Sequence, residues 1–267
     1  MIKIAIIGFG RMGREILKQC VQEGASVVCA VDAPESPVLG KDAGVIAGTE
    51  PLNVSITGSD ELAKTLDRSK PDVAMDFSSP QACMKNSKIA FEKGIDMVIG
   101  TTGFSEKELN ELKDLIKKNE VGAVVSPNMS IGVNVFWKIV EKAAGLLPDY
   151  DIEIVEKHHR FKKDAPSGTA LKTAEVIEKS LKRDAGADAV YGRKGLAERK
   201  PHEIGIHAVR AGDIVGEHTV LFGTLGERIE ITHAAHSRAA FAKGVVEAAK
   251  YVKGRKGFYV MDDVLGL

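Results

Sequence analysis

The stretch "IAIIGFGRMGREIL" at positions 4–17 constrains the fold of this chain more than any other. A nearly continuous apolar run ends at Gly8, and Gly8, Gly10 and Gly13 follow a G-x-G-x-x-G spacing that opens a helical pattern. In a strand–turn–helix setting the first glycine permits the tight turn. The second lets a pyrophosphate approach the backbone, and the third lets helix pack closely on strand. The first-turn N–H groups then face the anion. The glycines alone would only tighten a turn. Asp32, however, ends the next strand-like run about 20 residues on, where an acid accepts from a ribose hydroxyl. The combination predicts a dinucleotide-binding unit.

Further runs of the same kind follow: "SVVCAVD" at Ser26–Asp32, "DVAMDFS" at Asp72–Ser78, "DMVIGTT" at Asp96–Thr102 and "GAVVS" at Gly122–Ser126. Each is apolar almost throughout, as in strands covered on both faces of a parallel sheet. Helical segments with end signals separate them. Ser79 before Pro80 reads as an N-cap with proline at the first helical position, and Gly94 sits where a helix-ending glycine belongs. Ser105 with Glu108 forms a capping box. Strand–helix–strand repetition gives an α/β fold, a Rossmann-like doubly wound parallel sheet with right-handed crossovers.

After "SPNMSIGVN" the character changes. "VFWKIVEKAAGLL" reads as an amphipathic helix, "YDIEIVE" as a strand, and another helix follows Pro166–Thr169. Between Glu203 and His236, polar and apolar residues alternate in Gly216–Phe222 and Glu227–Thr232, with Gly212 and Gly226 at turns. That pattern predicts a second α+β domain with an open mixed or antiparallel sheet, one face buried and one free. The free face suggests a subunit interface. Residues 1–127 are read as the dinucleotide domain, with helix 239–267 rejoining it, and 128–238 as the substrate and oligomerisation domain. The segment 182–200 reads as a mobile surface loop or lid.

Composition removes several classes. Lys+Arg and Asp+Glu both number 37, so no global charge argues for nucleic acid or membrane. No run approaches the ~18 apolar residues of a membrane span. Cys20, Cys29 and Cys83 are too few and too irregular for a disulfide framework or Cys-rich metal site; they read as reduced thiols of a cytoplasmic protein. No metal is expected.

"HHRFKKDAPSGTA" at His158–Ala170 concentrates chemistry. Two histidines precede Lys162 and Lys163, and Ser167, Gly168 and Thr169 open a helix whose N–H groups and hydroxyls can hold an anion. A strand is expected to carry His158 out of the core. His158 and Lys162, four apart, would face the same side in a helical turn. Cations converging on a helix N-terminus suit a small substrate with more than one carboxylate; histidine can supply a proton and lysine can hold developing charge. The alternatives are a solvated basic loop, or metal ligation, against which neighbouring strand residues point to opposite faces. Asp164 reads as a turn residue, and most of His202, His207, His218, His233 and His236 as sheet or interface packing. "FSS", "GTT" and "SPNM" lie at strand ends, where they can line a nicotinamide pocket or simply cap helices.

These runs resemble the 4-hydroxy-tetrahydrodipicolinate reductase (dihydrodipicolinate reductase) family of lysine and diaminopimelate biosynthesis. The likeness rests on "GFGRMG", "GTTGF", "SPNMSIGVN", "GIHAVRAGDIVGEHTVLF", "HSRAAFAKG" and above all "EKHHRFKKDAPSGTA". It implies NAD(P)H-dependent reduction of a cyclic imine dicarboxylate by a homotetramer built through the second domains' sheets. It makes His158 the proton donor and Lys162 its catalytic partner, with His159, Lys162, Gly168 and Thr169 on the substrate carboxylates. Gly8, Phe9, Gly10, Arg11, Met12, Gly13, Asp32, Gly100, Thr101, Thr102, Ser126, Pro127, Asn128 and Met129 would hold NADH or NADPH. Arg238 and Phe241 would return near the cofactor. Many members carry Arg directly after the acid of the second strand, whereas here that place is Ala33; NADH is therefore expected to serve at least as well as NADPH. The competing readings are another Rossmann dehydrogenase of amino-acid metabolism and a non-catalytic nucleotide sensor, which would need neither His158 nor Lys162.

Overall fold

The structure, a computed structural model, describes all residues except Ala185 and Ala187. By their contacts they form two units, Met1–Ile131 with Arg238–Leu267, and Gly132–Ser237.

In the first unit β1 (Lys3–Ile7), β2 (Ser26–Asp32), β3 (Ile56–Gly58), β4 (Val73–Asp76), β5 (Asp96–Ile99) and β6 (Gly122–Val125) pair in parallel, in the order β6-β5-β4-β1-β2-β3. Helices α1 (Arg11–Gln22), α2 (Ala43–Ala47), α3 (Leu62–Ser69), α4 (Pro80–Glu92) and α5 (Glu106–Asn119) connect them. Alternation along β1 divides the core. Ile4 and Ile6 join the cluster under α1, while Ala5 and Ile7 join the one under α3, α4 and α5. The capping signals hold: Ser79 accepts from the Ala82 N–H, and Ser105 and Glu108 cap reciprocally. Gly94, at φ +69°, adopts the left-handed conformation that ends α4.

The second unit begins with α6 (Ile131–Leu146), then β7 (Asp151–His158), α7 (Gly168–Ser180), β8 (Ala189–Tyr191), β9 (Ile204–Arg210), β10 (Gly216–Thr224) and β11 (Glu227–Ala235). The sheet order is β11-β10-β7-β9-β8. β10 pairs antiparallel with β7 and β11, but β9 pairs parallel with both β7 and β8. The sheet is therefore mixed. The β-rich stretch is not one antiparallel meander, because β9 returns on the far side of β7. Ile152, Ile154, Ile204, Ile206, Val220 and Phe222 bury one face against α6 and α7. Trp137 ties those helices by donating to the Thr173 hydroxyl at 3.0 Å.

The segment 182–200, read as a surface loop or lid, is not all loop among its described residues. It contains β8, and Arg193 and Arg199 bind Glu153 of β7. Ala185 and Ala187 lie outside the described residues. The chain then returns to the first unit as α8 (Ala239–Val252), β12 (Gly257–Tyr259), which extends the parallel sheet beyond β6, and α9 (Met261–Leu265).

Candidate active site

The glycine loop is a cradle built from backbone. Gly8 has φ +89°, and a Cβ there would meet the Phe77 carbonyl oxygen at 2.5 Å. A Cβ on Gly13 would meet the Gly8 carbonyl at 2.3 Å, so α1 packs on β1 at a distance only glycine permits. Gly10, the N-cap of α1, has nothing within 4 Å of its missing Cβ. No side chain caps α1, and its first turn carries no acid. Open space before uncapped N–H groups fits a pyrophosphate. Arg11 beside it is exposed and Met12 half-buried. Asp32 receives hydrogen bonds from the Phe9 N–H at 3.2 Å and from the Ser36 hydroxyl at 2.7 Å. Ser36 is one residue the sequence reading missed; its hydroxyl fixes the Asp32 carboxylate.

The sequence-predicted side chains divide by accessibility. Phe9 and Met129 are buried in the core, so only their backbone can face a ligand. The Thr101 hydroxyl is engaged by Asp76 at 2.8 Å, and the Ser126 hydroxyl by the Asn128 carbonyl at 2.9 Å. Thr102 and Pro127 are exposed, and Gly100 and Asn128 half-buried. A Cβ on Gly100 would strike the Phe77 ring at 2.1 Å, so this glycine serves packing. Arg238 is the N-cap of α8, and Phe241 lies in its first turn.

The second centre is made of side chains. His158 ends β7 but is not carried out of the core: it is 9% exposed, in phase with Ile152, Ile154 and fully buried Glu156. Its Nδ1 lies 2.6 Å from Glu156 Oε2. Arg210, the register partner of His158 on β9, donates to both Glu156 oxygens at 2.8 Å. The Ser167 N–H at the start of α7 also donates to Glu156, at 3.0 Å. His218 lies opposite Glu156 on β10; its Nε2 is 3.0 Å from the Ser167 hydroxyl, and its ring meets His158 edge-on at 5.2 Å. A Cβ on Gly216 would stand 3.1 Å from His158 Nε2. With Nδ1 tied to the carboxylate, Nε2 is the nitrogen left for chemistry.

Electrostatics follow from burial and this pairing. Burial works to raise the Glu156 carboxyl, but hydrogen bonds from Arg210 and His158 hold it below its ordinary range. Burial lowers His158, only partly opposed by Glu156, and takes His218 down to about 3. Both rings are therefore neutral near pH 7 in the ligand-free protein.

Lys162 does not share a helical turn with His158. Residues His159–Lys162 form a reverse turn closed by the Lys162 N–H on the His159 carbonyl at 3.1 Å, and the Lys162 amine pairs with Asp164 at 2.8 Å. Asp164 thus restrains the lysine as well as shaping the turn. His159 is half-buried, with a buried Nδ1 that has no hydrogen-bond partner among the described residues. Gly168 and Thr169 open α7, behind the Ser167 N-cap. Glu156, Arg210, Gly216 and His218 escaped the sequence reading as site residues, and Ser167, read as part of an anion site, instead holds Glu156 and His218. Only Glu156 left a signal, as an acid in phase with the apolar positions of "DIEIVEKH".

A glycine cradle with its ribose-side acid, and in the same chain a carboxylate-backed histidine beside a lysine, define a nicotinamide-dependent oxidoreductase. Family models agree on which one: the dihydrodipicolinate reductase N-terminus matches residues 2–129 and its C-terminus matches 132–265. The chain belongs to the dihydrodipicolinate reductase family. It is 51% identical to the 4-hydroxy-tetrahydrodipicolinate reductase of Methanocaldococcus jannaschii, over 100% of this chain and 98% of the relative. The enzyme of the same name from Methanothermobacter thermautotrophicus is 47% identical, with both chains covered fully. A dipicolinate-bound dihydrodipicolinate reductase from a Paenisporosarcina species superposes with a TM-score of 0.77 at 29% identity, covering 97% of each chain.

Proposed function

We propose that this protein reduces 4-hydroxy-tetrahydrodipicolinate to tetrahydrodipicolinate with NADH or NADPH, the 4-hydroxyl leaving as water, in lysine and diaminopimelate biosynthesis. The observation that carries the reading is the Glu156–His158 pair, set beside Lys162 and the opening of α7, in a chain that also holds the glycine cradle. Residues 1–131 with 238–267 act as the dinucleotide unit. Gly8, Phe9, Gly10, Arg11, Met12 and Gly13 receive the pyrophosphate, and Asp32 a ribose hydroxyl. Gly100, Thr101, Thr102, Ser126, Pro127, Asn128 and Met129 form the nicotinamide end, mostly through backbone. When bound, the nicotinamide supplies the hydride.

Residues 132–237 hold the substrate. The first N–H groups of α7, at Gly168 and Thr169, receive one carboxylate, and His159 and Lys162 the other. His158 presents Nε2, with Nδ1 fixed by Glu156. Burial keeps the ring neutral in the empty site, and an arriving dianion raises its proton affinity, so the ring takes up a proton as substrate binds. That proton is then available to the reduced product, while Lys162 holds the charge that develops. The free face of the second sheet, where Val209 is exposed and Val155 and Leu221 are half-buried, joins copies into a homotetramer working in the cytoplasm.

Purified protein should oxidise NAD(P)H when supplied with product made in situ by dihydrodipicolinate synthase. Protein that binds NADH yet oxidises none of it in that assay would sink the proposal. Light scattering tests the assembly: a stable monomer at micromolar concentration removes the tetramer.

A further inference from the structure

Asp76 ends β4 and is fully buried. One of its carboxylate oxygens receives the Ser78 N–H at 3.0 Å, the Ser78 hydroxyl at 2.7 Å and the Thr101 hydroxyl at 2.8 Å. The other receives the Asn86 amide at 2.9 Å. All four donors are neutral, and among the described residues no Lys, Arg or His pairs with this carboxylate. Glu156 has Arg210 beside it; Asp76 has hydrogen bonds without a counter-ion. A buried charge of this kind is expensive, and its field is weakly screened in the low-dielectric interior. That field reaches a neighbour: burial pushes the Cys83 thiol up, and the Asp76 charge pushes it the same way.

The topology says what the field acts on. Strand order reverses between β1 and β4, with β2 and β3 on one side and β4, β5 and β6 on the other. A dinucleotide lies across such a switch point at the carboxyl ends of the strands. Asp32, ending β2, takes the ribose of the adenosine half, so the nicotinamide half falls on the β4–β6 side. On that side lie Ser78 and Thr101, two of the three residues that donate to Asp76, at the carboxyl ends of β4 and β5. The reduced ring is neutral. Loss of the 4-hydroxyl as water would conjugate the substrate ring's imine; hydride, a proton with two electrons, would then go to the carbon that bore the hydroxyl and leave the nicotinamide with one positive charge, while the displaced electron pair of the conjugated system takes up a proton.

We infer that Asp76 is a buried counter-ion for the oxidised nicotinamide ring, favouring its cationic form over the neutral one and so easing hydride departure. This rests on the dinucleotide reading above. It differs from a purely structural role for Asp76 in one measurable respect: it discriminates between the two redox states of the same ligand.

The test is the dissociation constant of NAD+ and of NADH, by calorimetry or quenching, in wild type and Asp76→Asn. The substitution nearly preserves shape and removes the charge. NADH affinity should change by less than about threefold, while NAD+ affinity falls about tenfold more than that, a shift of ~1.4 kcal/mol in the ratio. If both affinities fall together and the ratio stays within about twofold of wild type, Asp76 only braces the loops and the inference is overturned. Asn86→Leu removes a neutral donor and keeps the charge, so its ratio should match wild type; a shift as large as that of Asp76→Asn would overturn the inference equally. Should Asp76→Asn not fold, Asp76→Ser makes the same change of charge with less volume and is read in the same way. Wild-type protein that binds neither nucleotide would instead bring down the dinucleotide reading itself.

Discussion

In the first unit the glycine cradle is built from backbone: N–H groups of α1, a glycine turn, and space kept open at Gly10. In the second the centre is built from side chains drawn from three strands, a turn and a helix N-terminus, gathered around one buried carboxylate. A backbone cradle binds phosphate whatever the chemistry that follows. A side-chain centre fixes a tautomer, a charge and a proton. The contrast explains why the glycine cradle is contiguous over six residues, Gly8 to Gly13, and the second centre runs from Glu156 to His218. It also predicts that damage to one should leave the other's function measurable.

The largest expected effect is on turnover. His158→Gln should slow reduction ~10²–10⁴-fold, the usual worth of a positioned acid–base group, with the NADH dissociation constant unchanged. Lys162→Met should lose most of the turnover, several kcal/mol of transition-state stabilisation being typical for such a charge. If both variants keep near-wild-type turnover, the loop is a solvated basic face. If His158→Gln loses NADH binding as well, the division of labour between the two regions is wrong.

Next in size is stability. Glu156→Gln strands Arg210 beside a neutral amide in a mostly buried setting, so denaturant unfolding should show a loss of about 3–5 kcal/mol. Adding Arg210→Gln should recover part of it, because the two losses share one interaction. Strict additivity would show that Glu156 and Arg210 act independently.

The third effect is a pH dependence. His218 is held near 3 against an ordinary value of 6.5. Between those values the unfolded chain binds a proton that the folded one refuses, so stability is present above pH ~6.5 and lost as pH falls toward 3. His158, lowered in the same direction, adds to the slope. Unfolding followed from pH 7 to 4 should lose on the order of 3 kcal/mol through His218, and His218→Gln should flatten the curve. An unchanged slope in that variant would move the effect elsewhere.

The smallest effect belongs to the cradle. In the proposed role Asp32 would accept a ribose hydroxyl but repel a 2′-phosphate, and exposed Ala33 offers no cation to offset it. NADH should be used at least as well as NADPH, and Ala33→Arg should shift preference toward NADPH by about 1.5–3 kcal/mol. Michaelis constants for both cofactors decide: a wild type favouring NADPH by more than about tenfold contradicts the role given to Asp32.

The sequence by itself determined what depends on neighbours along the chain. The glycine spacing, the apolar runs, the Ser79 and Ser105 caps and the "HHRFKKDAPSGTA" run are local, because turn geometry, helix capping and burial on both faces act over a few residues. Tertiary structure alone decided which strands lie side by side. Parallel pairing of β9 with β7 sets Arg210 beside His158, and antiparallel pairing of β10 sets His218 across from Glu156. Strand register is a long-range choice, made by burying Ile154, Ile206 and Val220 in one core. For that reason Arg210 and His218 carry no mark in the sequence of what they touch. The same limit hid the burial of His158: alternation placed it in phase with the core, but only the packing of α7 and β10 over the end of β7 kept it there.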